Sequence, residues 1–177
     1  MRRLILLRHA KTEHDAPSGR DIDRRLEDRG KQDAALTGAW IVRHDFKPDL
    51  ALVSTAVRAQ ETWAILANAL SGTRVDHMPD LYGADPGELL RIIHAKETAD
   101  PKTLMIVAHN PGLHELALGL IAGGDAEGLR AMNSDLPTSG VIVIDFEIGN
   151  WSDVSFRSGT LKRFISPKLI KESSGSQ

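Results

Sequence analysis

Four side chains of two types carry the chemistry that this sequence suggests. They are two arginines and two histidines: Arg8, His9, Arg58 and His109. The planar guanidinium group of arginine presents a fork of N–H donors that fits phosphate oxygens, and two such groups neutralise most of a phosphoryl dianion. Histidine acts as a nucleophile or, when charged, as a further donor to phosphate. These residue types together indicate phosphoryl transfer.

The four residues lie directly or shortly after the ends of three short apolar runs. The runs cover residues 4–7, 50–53 and 103–108. Arg8 and His9 follow the first run directly, and His109 follows the third. Arg58 comes four residues after Ser54, in the predicted first turn of the next helix. In open α/β sheets ligands bind beyond the carboxyl ends of the strands, so we expect these side chains to meet at one edge of the sheet.

Helical patterns separate the apolar runs, as expected for a parallel sheet that is covered on both faces. The predicted helices cover residues 26–42, 58–70, 86–94 and 113–121. A short strand is expected at 75–78, and a fourth apolar run at 141–146 pairs with a return strand over about 154–160. The Gly- and polar-rich segment 122–140 is expected to be a loop or lid.

The fold class that follows is α/β: a three-layer α/β/α sandwich with a mostly parallel sheet and an antiparallel edge strand. A chain of 177 residues corresponds to about one domain. We expect a single domain over 1–168 and a polar C-terminal tail over 169–177, frayed from Lys171 onward.

Two predicted helix N-termini add backbone N–H groups to the candidate phosphate site. Asn110 is expected to be the N-cap of the helix that Pro111 opens, and to contribute to substrate binding there. Ser54 or Thr55 is expected to cap the helix that carries Arg58.

Each residue also has a simpler interpretation when it is considered alone. The Arg8-His9 pair is compatible with a solvated strand end, and Arg58 with an ion pair to Glu61 or Glu88. His109 is compatible with a structural turn. The coincidence of all of them at one predicted sheet edge favours the functional interpretation.

Composition excludes several other classes of function. The chain has no cysteine, which rules out disulfides, thiolate nucleophiles and cysteine-ligated metals. A formal net charge of −2 favours neither nucleic acid nor an anionic membrane. No apolar run is long enough for a signal-peptide core or a membrane span, so the expected location is the cytoplasm. The remaining histidines show no ligand spacing with carboxylates, and we expect no metal site.

Three motifs resemble those of the histidine phosphatase superfamily, whose fold is that of phosphoglycerate mutase. Residues 7–11, Leu-Arg-His-Ala-Lys, resemble its Arg-His-Gly motif, with alanine in place of glycine at position 10. Residues 54–62 resemble its Ser-x-x-x-Arg-Ala-x-x-Thr pattern, and 107–112 its late histidine motif. The form His-Asn-Pro-Gly, the small size and the segments 23–26 and 165–168 resemble the SixA-type phosphohistidine phosphatases.

The resemblance implies a role for each matching residue. His9 is then the nucleophile that becomes phosphorylated, and Arg8, Arg58 and His109 hold the phosphoryl oxygens. It also implies a phosphatase without a metal or other cofactor, since the guanidinium groups take the place that Mg²⁺ has elsewhere.

Superfamily members that cleave phosphate esters have a Glu or Asp that protonates the leaving oxygen, and no carboxylate here matches it convincingly. Asp80, Asp85 and Glu88 are candidates; further ones in segment 122–140 are Asp125, Glu127 and Asp135. An alkoxide leaving group needs such a proton. Imidazole, with a pKa of about 6.5, is able to leave a phosphoramidate already neutral. This difference favours a protein phosphohistidine as substrate; a small-molecule phosphomonoester is the alternative.

Overall fold

The three apolar runs form the centre of one sheet in the computed structural model, which describes residues 1–175. The strands are β1 (Arg2–Arg8), β2 (Leu50–Ser54), β3 (Arg74–Met78), β4 (Thr103–Ala108), β5 (Ile121–Gly124), β6 (Val141–Phe146) and β7 (Gly159–Ile165). Their order across the sheet is β3-β2-β4-β1-β6-β7-β5. β6 is antiparallel to both of its neighbours, and the other pairs are parallel.

Helices cover both faces of this sheet, which confirms the predicted three-layer α/β/α class. They are α1 (Asp28–Arg43), α2 (Val57–Ala67), α3 (Pro86–His94), α4 (Gly112–Leu120), α5 (Ala126–Ser134) and α6 (Pro167–Gly175). Successive side chains of a strand point to opposite faces. Leu4 and Leu6 of β1 pack with α3, α4 and α5, while Ile5 and Leu7 pack with α1, α2 and α6. Each buried Leu or Ile contributes roughly 2 kcal/mol to folding.

Strand register aligns the carboxyl ends of the central strands. Arg8 of β1 lies opposite Ala108 of β4, and Val53 of β2 lies opposite Val107. The residues that follow these strand ends therefore emerge side by side, as predicted.

β6 brings a later part of the chain to the same edge. Because β6 is antiparallel to β1, its first residue, Val141, pairs with Leu7 near the end of β1. The backbone N–H of Ser139 donates to the carbonyls of Arg8 and His9, and the Arg8 N–H donates to the Gly140 carbonyl. We call residues 135–140 the β6 entry segment.

The bounds expected for the return strand after β6 are wrong in detail. The return strand is Gly159–Ile165 rather than 154–160, because a 3₁₀ turn at Trp151–Asp153 intervenes. The indole of Trp151 is fully buried and donates to the Pro101 carbonyl, which holds that turn against the core. β7 and β5 extend the sheet beyond the antiparallel strand β6.

Segment 122–140 is not a continuous loop or lid, since it contains the end of β5 and all of α5. The Asp125 side chain accepts a hydrogen bond from the Gly128 N–H and so caps α5. The predicted tail over 169–177 begins inside α6, where Ile170 is buried against α1 and Lys171 pairs with Asp33. Residues 176–177 lie outside the described part of the chain. Within residues 1–175, no helix combines the length and hydropathy needed to cross a membrane.

A close backbone approach at Gly112 sets the position of the loop beside β4. A Cβ atom built on Gly112 overlaps the carbonyl oxygen of Ala84, and that oxygen belongs to backbone. Only glycine therefore allows the start of α4 to lie against the 83–85 loop.

We predict that Gly112→Ala lowers the free energy of unfolding by about 1–3 kcal/mol, because the backbone must shift to admit the methyl group. Urea denaturation measures this change. Gly149→Ala is the matched control, since a Cβ there meets no atom within 4 Å, and its effect should stay within about 0.5 kcal/mol. Equal stability of the two variants would contradict the packing argument.

Candidate active site

His9 follows β1 and is held in one tautomer by its own neighbour. Its side chain is buried, and Nδ1 lies 2.8 Å from the carbonyl oxygen of Ala10. A carbonyl only accepts, so Nδ1 carries the proton and Nε2 carries the lone pair of the neutral ring. The Ala10 N–H donates to Thr62 Oγ1, whose hydroxyl donates to the Arg58 carbonyl. Thr62 thus ties α2 to the loop that orients His9.

Arg8 is anchored by the β6 entry segment. Its Nη1 donates to the Leu136 carbonyl at 3.0 Å, and its Nε is buried with no hydrogen-bond partner among the described residues. Burial lowers the pKa of Arg8, and the carboxylate of Asp135 opposes this effect. The guanidinium group is therefore fixed at one end and free at the other.

Arg58 lies in the first turn of α2, and its side chain is buried. Nη1 donates to the main-chain carbonyl of Asp21 at 2.8 Å, and Nη2 donates to Asp21 Oδ2 at 3.0 Å. Neither Glu61 nor Glu88 is its ion-pair partner: Glu61 accepts from the Leu26 N–H instead. Arg58 Nε is buried and has no partner in residues 1–175.

His109 follows β4, and Ser54 at the end of β2 fixes its orientation. Nε2 lies 2.7 Å from Ser54 Oγ, and that oxygen also accepts from the Ala56 N–H at 3.3 Å. We assign the serine hydroxyl as the donor to Nε2, which places the proton of the neutral His109 ring on Nδ1. Nδ1 is buried without a partner in the described chain. The expectation that Ser54 or Thr55 caps α2 is wrong, because the N-cap is Ala56.

The four residues share one arrangement. Each binds protein through one nitrogen or, for Arg58, through two. Three of them keep a buried nitrogen that has no partner among the described residues: Arg8 Nε, Arg58 Nε and His109 Nδ1. The rings of His9 and His109 have centroids 5.3 Å apart. An unpaired buried donor is costly and usually marks an absent partner. Three N–H donors beside a neutral imidazole form a site for a tetrahedral oxyanion.

Burial and positive neighbours keep both imidazoles neutral. Burial lowers the pKa of His9 to about 3, assisted by His109, Arg58 and Arg8 and opposed by the Ala10 carbonyl. Burial, followed by Arg58, lowers the pKa of His109 to about 4, although the Asp21 carboxylate opposes this change. His9 therefore keeps its lone pair available at neutral pH.

Asn110 is at the site, but not as the predicted N-cap. The N-cap of α4 is Pro111, and no side chain caps it. The Asn110 amide instead donates through Nδ2 to the Leu136 carbonyl at 2.9 Å, the same oxygen that anchors Arg8. The local preference of asparagine for capping is outweighed by this tertiary hydrogen bond.

Two residues that the sequence interpretation missed, Asp21 and Tyr82, form the rim of the site. The Tyr82 hydroxyl donates to Asp21 Oδ2 at 2.6 Å, and its ring meets the edge of the His109 ring at 5.5 Å between centroids. The hydrogen bond from Tyr82, and then the neighbouring Arg58, lower the pKa of Asp21 to about 2. Neither residue follows an apolar run, so the pattern of strand ends gives no signal for them.

Three of the six candidate proton donors have structural roles. Asp85 and Glu88 form a reciprocal capping box at the start of α3, and Asp125 caps α5. Asp135 interacts electrostatically with Arg8 and is therefore a candidate acid that is linked to the site. Across residues 1–175, no three His, Cys, Asp or Glu side chains cluster in a way that suits a metal ion.

Comparison with known proteins identifies the family. The model of the histidine phosphatase superfamily (branch 1) matches residues 4–90. An uncharacterised protein of Mycobacterium tuberculosis is 34% identical over 165 residues, which are 92% of this chain and 100% of that protein. The chain belongs to the histidine phosphatase superfamily. The structure of a candidate phosphohistidine phosphatase SixA from Agrobacterium tumefaciens is 30% identical, with a TM-score of 0.78 over 94% of this chain and 98% of that one.

A second candidate SixA structure, from Nakamurella multipartitia, is 26% identical with a TM-score of 0.78, over 94% of this chain and 96% of that one. The fold and the enzyme class predicted from the motifs are thereby confirmed.

In this histidine phosphatase the residue after the nucleophile candidate is Ala10, where the wider superfamily has glycine. Its side chain is fully buried against Leu26 and Ala34, so the methyl group fits the core.

We predict that the His9 and His109 rings do not titrate near pH 6.5, because their lowered pKa values keep the neutral forms down to about pH 5. NMR of the ring Cε1–H signals, assigned with His9→Gln and His109→Gln, measures the midpoints. Inorganic phosphate should raise both midpoints, since an anion stabilises the charged rings. A midpoint near 6.5 for either ring in the free protein would contradict the electrostatic description.

Proposed function

We propose that this histidine phosphatase is a protein phosphohistidine phosphatase of the SixA type, with His9 as nucleophile. One observation carries the proposal: the neutral His9 ring, with its lone pair on Nε2, lies beside three buried N–H donors that lack partners. The similarity to candidate SixA structures supports the choice of substrate class.

In the first step, His9 Nε2 attacks phosphorus as the substrate P–N bond breaks. The electrons of that bond pass to the leaving imidazole, which departs neutral when its other nitrogen carries a proton. Arg8 Nε, Arg58 Nε and His109 Nδ1 donate to the three equatorial oxygens. Preorganised donors of this kind typically contribute about 3–4 kcal/mol each to the transition state.

In the second step, water attacks phosphorus and the bond to His9 Nε2 breaks. The electrons return to His9, which becomes neutral again, and inorganic phosphate leaves with the oxygen and protons of the water molecule. Because both steps exchange bonds at the same phosphorus, the same donors serve both transition states.

The rim of the site is open, which suits a protein substrate. Asp21 has 55% of its side chain exposed, and Tyr82 is 38% exposed. The phosphorylated side chain of a folded phosphorelay or phosphotransfer protein needs such access, whereas a small substrate is better retained by walls. We therefore favour a phosphoprotein over a small phosphorylated metabolite.

The alternative, a small-molecule phosphomonoesterase, is favoured by one observation. Asp135 is a solvent-exposed carboxyl group that interacts electrostatically with Arg8. An ester substrate requires a proton donor for its alkoxide leaving group.

We predict that a phosphoenzyme forms on His9. After brief reaction with a ³²P-labelled protein phosphohistidine, acid-labile label should appear on the peptide that contains His9. His9→Ala should abolish both label and turnover. His77→Ala, on the exposed strand β3, is the matched control and should retain both. Label on another residue only, or full activity of His9→Ala, would contradict the assignment.

We also predict a steep dependence of rate on the leaving group. If no residue protonates it, log kcat/KM should fall as leaving-group pKa rises, so that phosphoramidates and aryl phosphates react and alkyl phosphates hardly do. Asp135→Asn should then keep turnover within about tenfold, equal to roughly 1.4 kcal/mol. A flat dependence together with collapse of Asp135→Asn would establish the phosphomonoesterase alternative.

A further inference from the structure

Asp21 lies in a loop whose two ends are pinned together. Thr12 and Leu26 form an isolated antiparallel bridge, and the Glu13 N–H donates to the Arg25 carbonyl. The 3₁₀ turn Asp21–Asp23 lies within this loop, which we call the rim loop (residues 13–25). The loop thus projects from the end of β1 and places Asp21 against Arg58.

The contact occupies one particular edge of the Arg58 guanidinium group. Nη1 and Nη2 both donate to Asp21, one to the main-chain oxygen and the other to the carboxylate. A guanidinium group has a second bidentate edge, formed by Nε and one Nη nitrogen. Arg58 Nε is buried and has no acceptor among residues 1–175. Asp21 therefore leaves this second edge available to a phosphoryl oxygen.

Two explanations fit a carboxylate beside a phosphate-binding arginine. Asp21 either competes with phosphate for Arg58, or it holds Arg58 in the orientation that phosphate requires. Competition predicts that the carboxylate takes the edge that faces the oxyanion and that nothing else holds it in place. In this structure a main-chain carbonyl shares the contact, and Tyr82 donates to the same Oδ2 at 2.6 Å.

We propose that Asp21 is a positioning residue, which acts through Arg58 by fixing its Nη edge so that Nε points at the phosphoryl group. Tyr82 completes the arrangement by holding the Asp21 carboxylate, while its ring lies 5.8 Å from the Arg58 guanidinium carbon. The rim loop is thereby part of the active site. This inference rests on the proposed function only for the identity of the phosphorylated substrate.

The test compares Asp21→Ala with Asp21→Asn in the full-length protein. Asp21→Ala removes the carboxylate that holds Nη2 and leaves only the main-chain contact of Nη1, and misplacement of a catalytic group by about 1 Å lowers rates by roughly 100-fold. We expect kcat/KM for a phosphohistidine protein to fall by about that factor, with most of the loss in kcat. Asp21→Asn keeps the main-chain acceptor of Nη1 and one side-chain oxygen that can accept from Nη2; it should stay within about tenfold of the unmodified protein, as should Tyr82→Phe.

Asp23→Ala is the matched control. Asp23 lies in the same 3₁₀ turn but accepts from the Ser18 hydroxyl rather than from an arginine. It should reproduce any general disturbance of the rim loop while leaving kcat/KM within about twofold. A loss as large as that of Asp21→Ala would show that loop folding, and not the contact with Arg58, determines activity, and would overturn the proposal.

A double-mutant cycle shows whether Asp21 acts through Arg58. Arg58→Ala alone should lower kcat/KM strongly, and adding Asp21→Ala to it should cause little further loss, because the group being positioned is already absent. Multiplicative losses in the double variant would show that Asp21 acts independently and would refute a positioning role.

Calorimetric binding of inorganic phosphate separates the two explanations without any turnover. Asp21→Ala should weaken phosphate binding by about tenfold if Asp21 positions Arg58. Tighter binding would show that Asp21 competes with phosphate, and unchanged binding would show that the contact does not orient Arg58; each of these results overturns the proposal. Absence of phosphohistidine turnover in the unmodified protein would refute the proposed function, yet the binding comparison would still decide the role of Asp21.

Discussion

Parallel pairing of β1 with β4 places Arg8 opposite Ala108, and this register is the constraint on which the site depends. His9 and His109 each follow one of the aligned residues, so their rings meet without a long loop to bring them together. A slip of one residue would move each buried β1 side chain from one core to the other. Side chains of β1 alternate between the two cores. The packing that fixes this register therefore also fixes the distance between the two imidazoles.

The strand register also brings cationic and N–H groups close to the neutral imidazole of His9. The protein does not neutralise the cluster at the oxyanion position. It binds the far side of each group with carbonyl, hydroxyl or carboxylate oxygens: Leu136 for Arg8, Asp21 for Arg58 and Ser54 for His109. Donors fixed in this way need little reorganisation when charge develops, which is the physical basis of electrostatic preorganisation.

The sequence predicted those parts of the site that lie at strand ends. Arg8, His9 and His109 follow buried apolar runs, and buried runs are what a single sequence reveals best. Asp21 was missed because its role depends on a contact with Arg58, 37 residues away, from a loop with no periodic pattern. Asn110 was misassigned because a local capping preference was outweighed by the Leu136 carbonyl, which belongs to a segment interpreted as a loop.

The β6 entry segment has a consequence for the order in which this enzyme is made. Arg8 and His9 leave the ribosome a hundred residues before His109 does. The carbonyl that orients Arg8 belongs to Leu136, and the backbone N–H that binds the carbonyls of Arg8 and His9 belongs to Ser139. A nascent chain ending after α4 therefore contains all four candidate site residues but not the β6 entry segment that anchors the first of them. The contacts that orient Arg8 therefore become available only when the chain has been made as far as β6.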